Sequence, residues 1–202
     1  MPRLFTALEI PPDIADQLSL FRGGVSGARW IDPANYHVTL RFIGDVDHAT
    51  ARDVAALLGE SRHRSAVTVS FDALSVFGGD KPRSLFARVV PTPELARLQA
   101  EQEKLVRRAG IEPEGRKFTP HVTLARLRNV RAGDVAGFIA RGGPFPRLSF
   151  TAERFVLYSS RDSVGGGPYV VEAEYPLTGP PSSEGPPWRV ESRRTTWPAW
   201  PA

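Results

Sequence analysis

The chain has no cysteine, a single methionine and four histidines among its 202 residues. Without cysteine there is no disulfide framework, no zinc ribbon, no iron–sulfur cluster and no thiol nucleophile. Lysine is scarce too: only Lys81, Lys104 and Lys117 of the 26 cationic residues are not arginine. No apolar run approaches the roughly 18 residues that a membrane span needs. The N-terminal stretch meets an acidic residue, Glu9, too soon for a secretory signal. These absences predict a cytoplasmic protein with no membrane contact, although a cysteine-free chain also tolerates an oxidising compartment.

What is present is globular: 41% of the residues are hydrophobic and 24% charged, the composition of a packed domain. The length fits one domain or two small lobes sharing a core. The net charge of +4 rests almost wholly on arginine, whose guanidinium is the better bidentate partner for phosphate. A GC-rich genome gives the same bias, and a charge of this size does not by itself point to nucleic acid.

Composition shifts after Leu177. From Thr178 to Ala202 the chain holds six of its 19 prolines and three of its four tryptophans, Trp188, Trp197 and Trp200. With no periodicity there, 178–202 reads as an irregular or mobile tail behind a compact part of residues 1–177. Within the compact part, Leu4–Glu9 and Ser84–Val90 read as strands, each running into a proline-started helix. In the second helix Thr92 can cap, Pro93 suits the first position, and Leu95, Leu98, Gln102, Leu105 and Ala109 share a face before Gly110. Asp47–Glu60 and Gly133–Ala140 read as further helices. Ala66–Phe77, Leu148–Ser159 and Tyr169–Tyr175 are β-rich. The fold class is α+β.

The chain also repeats itself. Leu4-Phe5 falls on Leu85-Phe86, and Pro12-Asp13-Ile14-Ala15 on Pro93-Glu94-Leu95-Ala96, both at an offset of 81. The tetrad His37-Val38-Thr39-Leu40 recurs identically as His121-Val122-Thr123-Leu124 at an offset of 84. A loop insertion accounts for the drift. The reading is two pseudosymmetric halves, about 1–80 and 81–177.

Strand periodicity puts His37 and Thr39 on one face, with Val38, Leu40 and Phe42 on the other. The second copy likewise separates His121 and Thr123 from Val122, Leu124 and Arg126. One His–X–Thr is usually structural, whereas two identical copies at matching points of a repeat point to chemistry. His48 and His63, in a helix-entry segment and an arginine-rich loop, read as surface residues. Two histidines without converging cysteines or carboxylates fall short of a three- or four-ligand metal site. A hydrolase triad needs one histidine with a nucleophile and an orienting acid. Acid–base attack on a phosphodiester fits better. One imidazole accepts a proton from the nucleophile and the other donates one to the departing oxygen, near neutral pH. The threonine hydroxyls can hydrogen-bond the non-bridging oxygens.

With Arg41-Phe42-Ile43-Gly44-Asp45-Val46 after the first tetrad and Pro120 before the second, the pattern resembles the two-histidine phosphoesterase superfamily. Within it, the chain is similar to the RNA 2′,3′-cyclic phosphodiesterases, historically called 2′-5′ RNA ligases, over roughly residues 3–177. The resemblance implies a bilobal α+β fold in which two antiparallel sheets line a central cleft with helices outside. It implies hydrolysis of an RNA-terminal 2′,3′-cyclic phosphate to a 2′-phosphate with no metal and no cofactor. His37 would be the proton donor, His121 the proton acceptor, and Thr39 and Thr123 the phosphate ligands. Arg126 matches a basic position of the family, yet strand parity turns it away from His121. Tyr36 and Phe42 can stack on a base, with packing as the plainer role for each. The expected partners are RNA ends or small 2′,3′-cyclic nucleotides, with no obligate protein partner. Two alternatives stand beside this: a 2′-5′ RNA ligase using the same residues, and an RNA-binding module with vestigial histidines.

Overall fold

The computed structural model describes residues 1–62, 65–160 and 167–177. The tail 178–202 and His63 lie outside them. Among the described residues, nine strands form two antiparallel sheets. In the first sheet the order is β3 (His37–Asp45), β1 (Arg3–Glu9), β8 (Arg154–Ser160), β9 (Tyr169–Pro176). In the second it is β2 (Ala28–Trp30), β6 (His121–Leu127), β5 (Ser84–Val89), β4 (Val67–Phe77), β7 (Leu148–Ala152). The expected α+β duplicated architecture is present.

Local chemistry explains the elements. In α3 (Pro93–Arg108) the Thr92 hydroxyl accepts from the Leu95 amide at 3.2 Å, and Pro93 opens the first turn. Its buried stripe is Leu95, Leu98, Gln102, Leu105 and Val106. Val106 thus takes the place expected of Ala109, which becomes the C-cap and packs only partly against the core. The Asp47 carboxylate caps α2 (His48–Gly59) by accepting from the Thr50 amide at 2.8 Å, and His48 is exposed at that helix start. Two shorter helices, α1 (Pro12–Ser19) and α4 (Ala132–Arg141), complete the set.

The repeats exchange strands. The last strand of the first repeat, β4, pairs with β5, the first strand of the second; β8, late in the second repeat, pairs with β1. The β4–β5 turn depends on Gly78, whose φ is +112° and whose added Cβ would lie 2.2 Å from the Lys81 carbonyl oxygen. The single β-rich stretch expected over 148–159 splits at Glu153, sending β7 into one sheet and β8 into the other. A continuous β-favouring composition carries no mark of such a switch. The stretch between α1 and β3, expected as a loop or short strand, holds β2 and the 3-10 turn Pro33–Asn35, each three residues long; the turn was not expected.

β3 and β6 approach one another where the sheets meet. Val38, Leu40, Val122 and Leu124 are all buried in one continuous core. Their burial fixes which way the alternate residues point.

Candidate active site

His37 and His121 open their strands in the same way. The Nδ1 of His37 lies 2.8 Å from the Asn35 carbonyl oxygen, and that of His121 lies 2.7 Å from the Thr119 carbonyl oxygen. A carbonyl only accepts, so in both rings Nδ1 carries the proton and donates it. Each neutral ring is thereby left with a lone pair on Nε2. Asn35 and Thr119 are themselves separated by 84 residues, so the repeat preserves the tautomer as well as the ring.

The rings are held by aromatic neighbours that also repeat. Phe5 lies 5.0 Å from His37 and Phe86 lies 5.1 Å from His121, centroid to centroid. Tyr158 stands 6.0 Å from His37, and Phe77 stands 4.9 Å from His121. The offset of 81 that relates Leu4-Phe5 to Leu85-Phe86 also relates Phe77 to Tyr158. Tyr169 adds an edge contact to His37 at 5.1 Å. Sequence reasoning missed these neighbours, although extending the offset beyond the strands would have reached Tyr158.

This packing shifts the acid–base chemistry. Burial drives the His37 imidazole down from 6.5 to about 4 against the opposing Asn35 hydrogen bond, and the charges of His121 and Arg126 push the same way. His121 is also lowered, first by burial, with Thr119 opposing and Arg126 assisting. Both rings are therefore neutral in the free protein at pH 7.

A β-bulge follows each histidine. Along β1 against β3, Ala7 pairs with Thr39 and the next residue, Thr6, with Arg41, leaving Leu40 extra. Along β5 against β6, Phe86 pairs with Thr123 and Leu85 with Ala125, leaving Leu124 extra. An extra residue inverts the alternation beyond it. Leu40-Arg41 and Leu124-Ala125 are consecutive buried pairs, and Phe42 and Arg126 emerge exposed on the histidine face. Strand parity had put both on the opposite face; the bulges correct that. Tyr36, by contrast, is buried in the core.

The result is a cleft of about 610 Å³ whose lining includes Thr39, Phe42, Arg83, Lys117, His121 and Arg126. That size falls within the usual range for ligand sites. Among the described residues, neither the Thr39 nor the Thr123 hydroxyl takes part in an intramolecular hydrogen bond. Among the same residues, no three His, Cys, Asp or Glu side chains converge to hold a metal ion, and no helix is long and apolar enough to cross a membrane.

Arg41 also borders this cleft, but its charge is engaged within the protein. Its guanidinium, 4% exposed, meets the Glu103 carboxylate of α3 and the carbonyls of Phe42 and Glu112. The other Glu103 oxygen accepts from the Glu114 amide at 3.3 Å. Arg41 thus ties β3 to the loop that ends at Thr119, the residue orienting His121. Its position matches Ala125 in the other repeat, and nothing in the spacing announced it.

Comparison with known proteins agrees with the duplication of the chain. The LigT-like phosphoesterase family model matches the chain twice, over residues 8–86 and 89–169. The chain belongs to that family. An RNA 2′,3′-cyclic phosphodiesterase of Bacillus subtilis is 30% identical over 162 residues, which is 78% of this chain and 87% of the relative. One of Thermotoga maritima is 30% identical over 186 residues, 88% of this chain and 96% of the relative. The crystal structure of Escherichia coli LigT complexed with 3′-AMP superposes with a TM-score of 0.70 at 24% identity, covering 89% of this chain and all of the other. In this LigT-like chain, the paired histidines occupy equivalent points of the two matched segments.

Proposed function

We propose that this LigT-like phosphoesterase hydrolyses RNA-terminal 2′,3′-cyclic phosphates to 2′-phosphates by paired-imidazole acid–base catalysis without a metal. The mirrored Nδ1-to-carbonyl locks carry the reading, because they leave one Nε2 per repeat for proton transfer. His121 Nε2 accepts a proton from water as the water oxygen bonds to phosphorus. The P–O3′ bond breaks, and protonated His37 gives its Nε2 proton to O3′. Thr39, Thr123 and Arg126 hold the non-bridging oxygens. His37 is neutral in the free protein; the charge of the bound phosphate favours the imidazolium, so His37 takes up its acid proton from solvent as substrate binds.

The test is turnover of an oligonucleotide ending in a 2′,3′-cyclic phosphate, in EDTA, with the phosphate isomer of the product identified. The expected product is a 2′-phosphate. A new 2′-5′ linkage as the main product would instead identify a ligase. His37→Ala and His121→Ala each lower turnover by about 10²–10⁴. A substrate with sulfur at the bridging 3′ position separates the roles, because a thiolate leaves without a proton: His37→Ala recovers on it and His121→Ala does not. Loss of turnover in EDTA, or near-full activity in either alanine variant, overturns the mechanism.

A further inference from the structure

The two histidines donate to carbonyls in the same way, but those carbonyls are themselves held differently. In the first repeat Asn35 closes the 3-10 turn, its amide donating to the Asp32 carbonyl at 2.8 Å. The Asp32 side chain accepts from the Ala34 amide at 3.0 Å, and just ahead of the turn the Ile31 amide donates to the Leu124 carbonyl at 2.9 Å. Local backbone thus fixes the carbonyl that orients His37. The matching carbonyl in the second repeat, that of Thr119, lies near the end of a loop of residues 111–120 with neither helix nor strand. Among the described residues, 111–119 make no backbone–backbone hydrogen bond; the next, from the Val89 amide, meets the Pro120 carbonyl at 3.2 Å.

What this loop lacks in backbone bonds it receives from the other repeat. Arg41 Nη2 donates to the Glu112 carbonyl, and its partner Glu103 accepts from the Glu114 amide. The Nη1 branch donates to the Phe42 carbonyl, so one planar fork joins β3, α3 and the loop. The bulge makes this reach possible. Unbroken alternation would turn Arg41 to the face of His37 and Thr39, and the extra Leu40 turns it inward toward α3. Ala125 stands at the equivalent point of the second repeat, where no such fork is needed because the 3-10 turn orients Asn35. A buried ion pair adds little stability over well-packed apolar residues, so orientation accounts for the fork better than stability does.

Resting on the role proposed above for His121, we infer that Arg41 is the positioning residue of the general base: by fastening Glu112 and Glu114 it holds the Thr119 carbonyl where that oxygen keeps the proton on His121 Nδ1 and the lone pair on Nε2. Without the fork the carbonyl shifts and the ring takes up the tautomer with its proton on Nε2. That nitrogen then cannot accept a proton from water.

The test is the imidazole nitrogen-15 spectrum at pH 8 of the native protein and of Arg41→Met/Glu103→Leu, which replaces the buried pair with apolar side chains. In the native protein both rings should show Nδ1 as an N–H and Nε2 as a lone-pair nitrogen. In the double variant the two His121 shifts should move toward each other while those of His37 hold. On a cyclic-phosphate oligonucleotide, kcat should fall about tenfold or more with KM within about twofold. The substrate with bridging 3′ sulfur should not restore it, because the defect lies at the base. A folded double variant with native His121 shifts overturns the inference, as does a raised KM with kcat intact, which would make Arg41 a substrate contact. Arg41→Lys keeps a charge beside Glu103 but lacks the fork for two carbonyls, and it should show the same His121 shift. It decides the matter if the double variant does not fold: native His121 shifts in Arg41→Lys overturn the inference. If the native protein turns over no substrate, the activity reading fails, and the His121 shifts alone decide the positioning.

Discussion

The depressed histidines make the pH profile of this enzyme informative. In the free protein His37 sits at about 4, so at pH 7 roughly one molecule in a thousand carries its proton. His121 is also lowered from 6.5 and is largely neutral at that pH. In the proposed mechanism, productive encounter requires the first protonated and the second neutral, and kcat/KM reports the free enzyme. That parameter should therefore be level between about 4 and the His121 value, then fall tenfold per pH unit above it. Between pH 6.5 and 8.5 the loss is about 100-fold. The cyclic phosphodiester stays a monoanion over this range, so the fall belongs to the protein. By contrast, kcat reports the complex, in which the bound anion raises His37, and should hold to higher pH. The assay is initial rates on a cyclic-phosphate oligonucleotide at constant ionic strength, with circular dichroism checking the fold at each pH. Arg126→Met supplies a second arm. Removing a charge that lowers both rings should move the alkaline limb upward even as the absolute rate falls. A kcat/KM that is level from pH 6.5 to 8.5 in the native enzyme would refute the reasoning.

Two stability predictions accompany it. Glu103→Leu leaves the Arg41 guanidinium buried without its carboxylate and should cost about 3–5 kcal/mol in urea unfolding. Arg41→Met/Glu103→Leu together should recover most of that, and a double variant as unstable as the single one would contradict the pairing. His37 is lower folded than unfolded, so the neutral ring's contribution is whole above pH 6.5 and is lost as pH falls toward about 4. The native protein should therefore lose no more than about 3 kcal/mol over that window relative to His37→Gln. Parallel stability curves for the two proteins would count against it.

The legible parts of the molecule are those where a physical period survives in the residue string. Alternation about Val38 and Val122 placed both histidines and both threonines on one face, and Thr92-Pro93 marked the start of α3 correctly. The bulges were harder. In β6 the apolar residues Val122, Leu124, Ala125 and Leu127 are spaced two, one and two, which is the trace of an inserted residue. In β3 the charged Arg41 occupies the buried place of Ala125 and hides the same trace. Reading the two copies against each other would have transferred the bulge and turned Phe42 and Arg126 to the correct face. The Arg41–Glu103 tie joins residues far apart in the chain and follows no spacing, so only the folded chain displays it. The switch of sheets at Glu153 has no local chemistry to announce it.

The traded strands have a consequence for how two unlike histidines arise. Neither repeat can close a sheet alone: cut at the Gly78 turn, the first would leave β1 without β8 and β4 without β5. Two copies of one repeat can satisfy each other by trading their final strands, which makes the present chain topologically a swapped dimer fused end to end. In an unfused pair, symmetry forces both histidines into identical surroundings. Fusion removes that constraint. Phe42 standing where the other repeat has Arg126, and Arg41 where it has Ala125, are the places where the halves have parted, giving one imidazole surroundings that the other does not share.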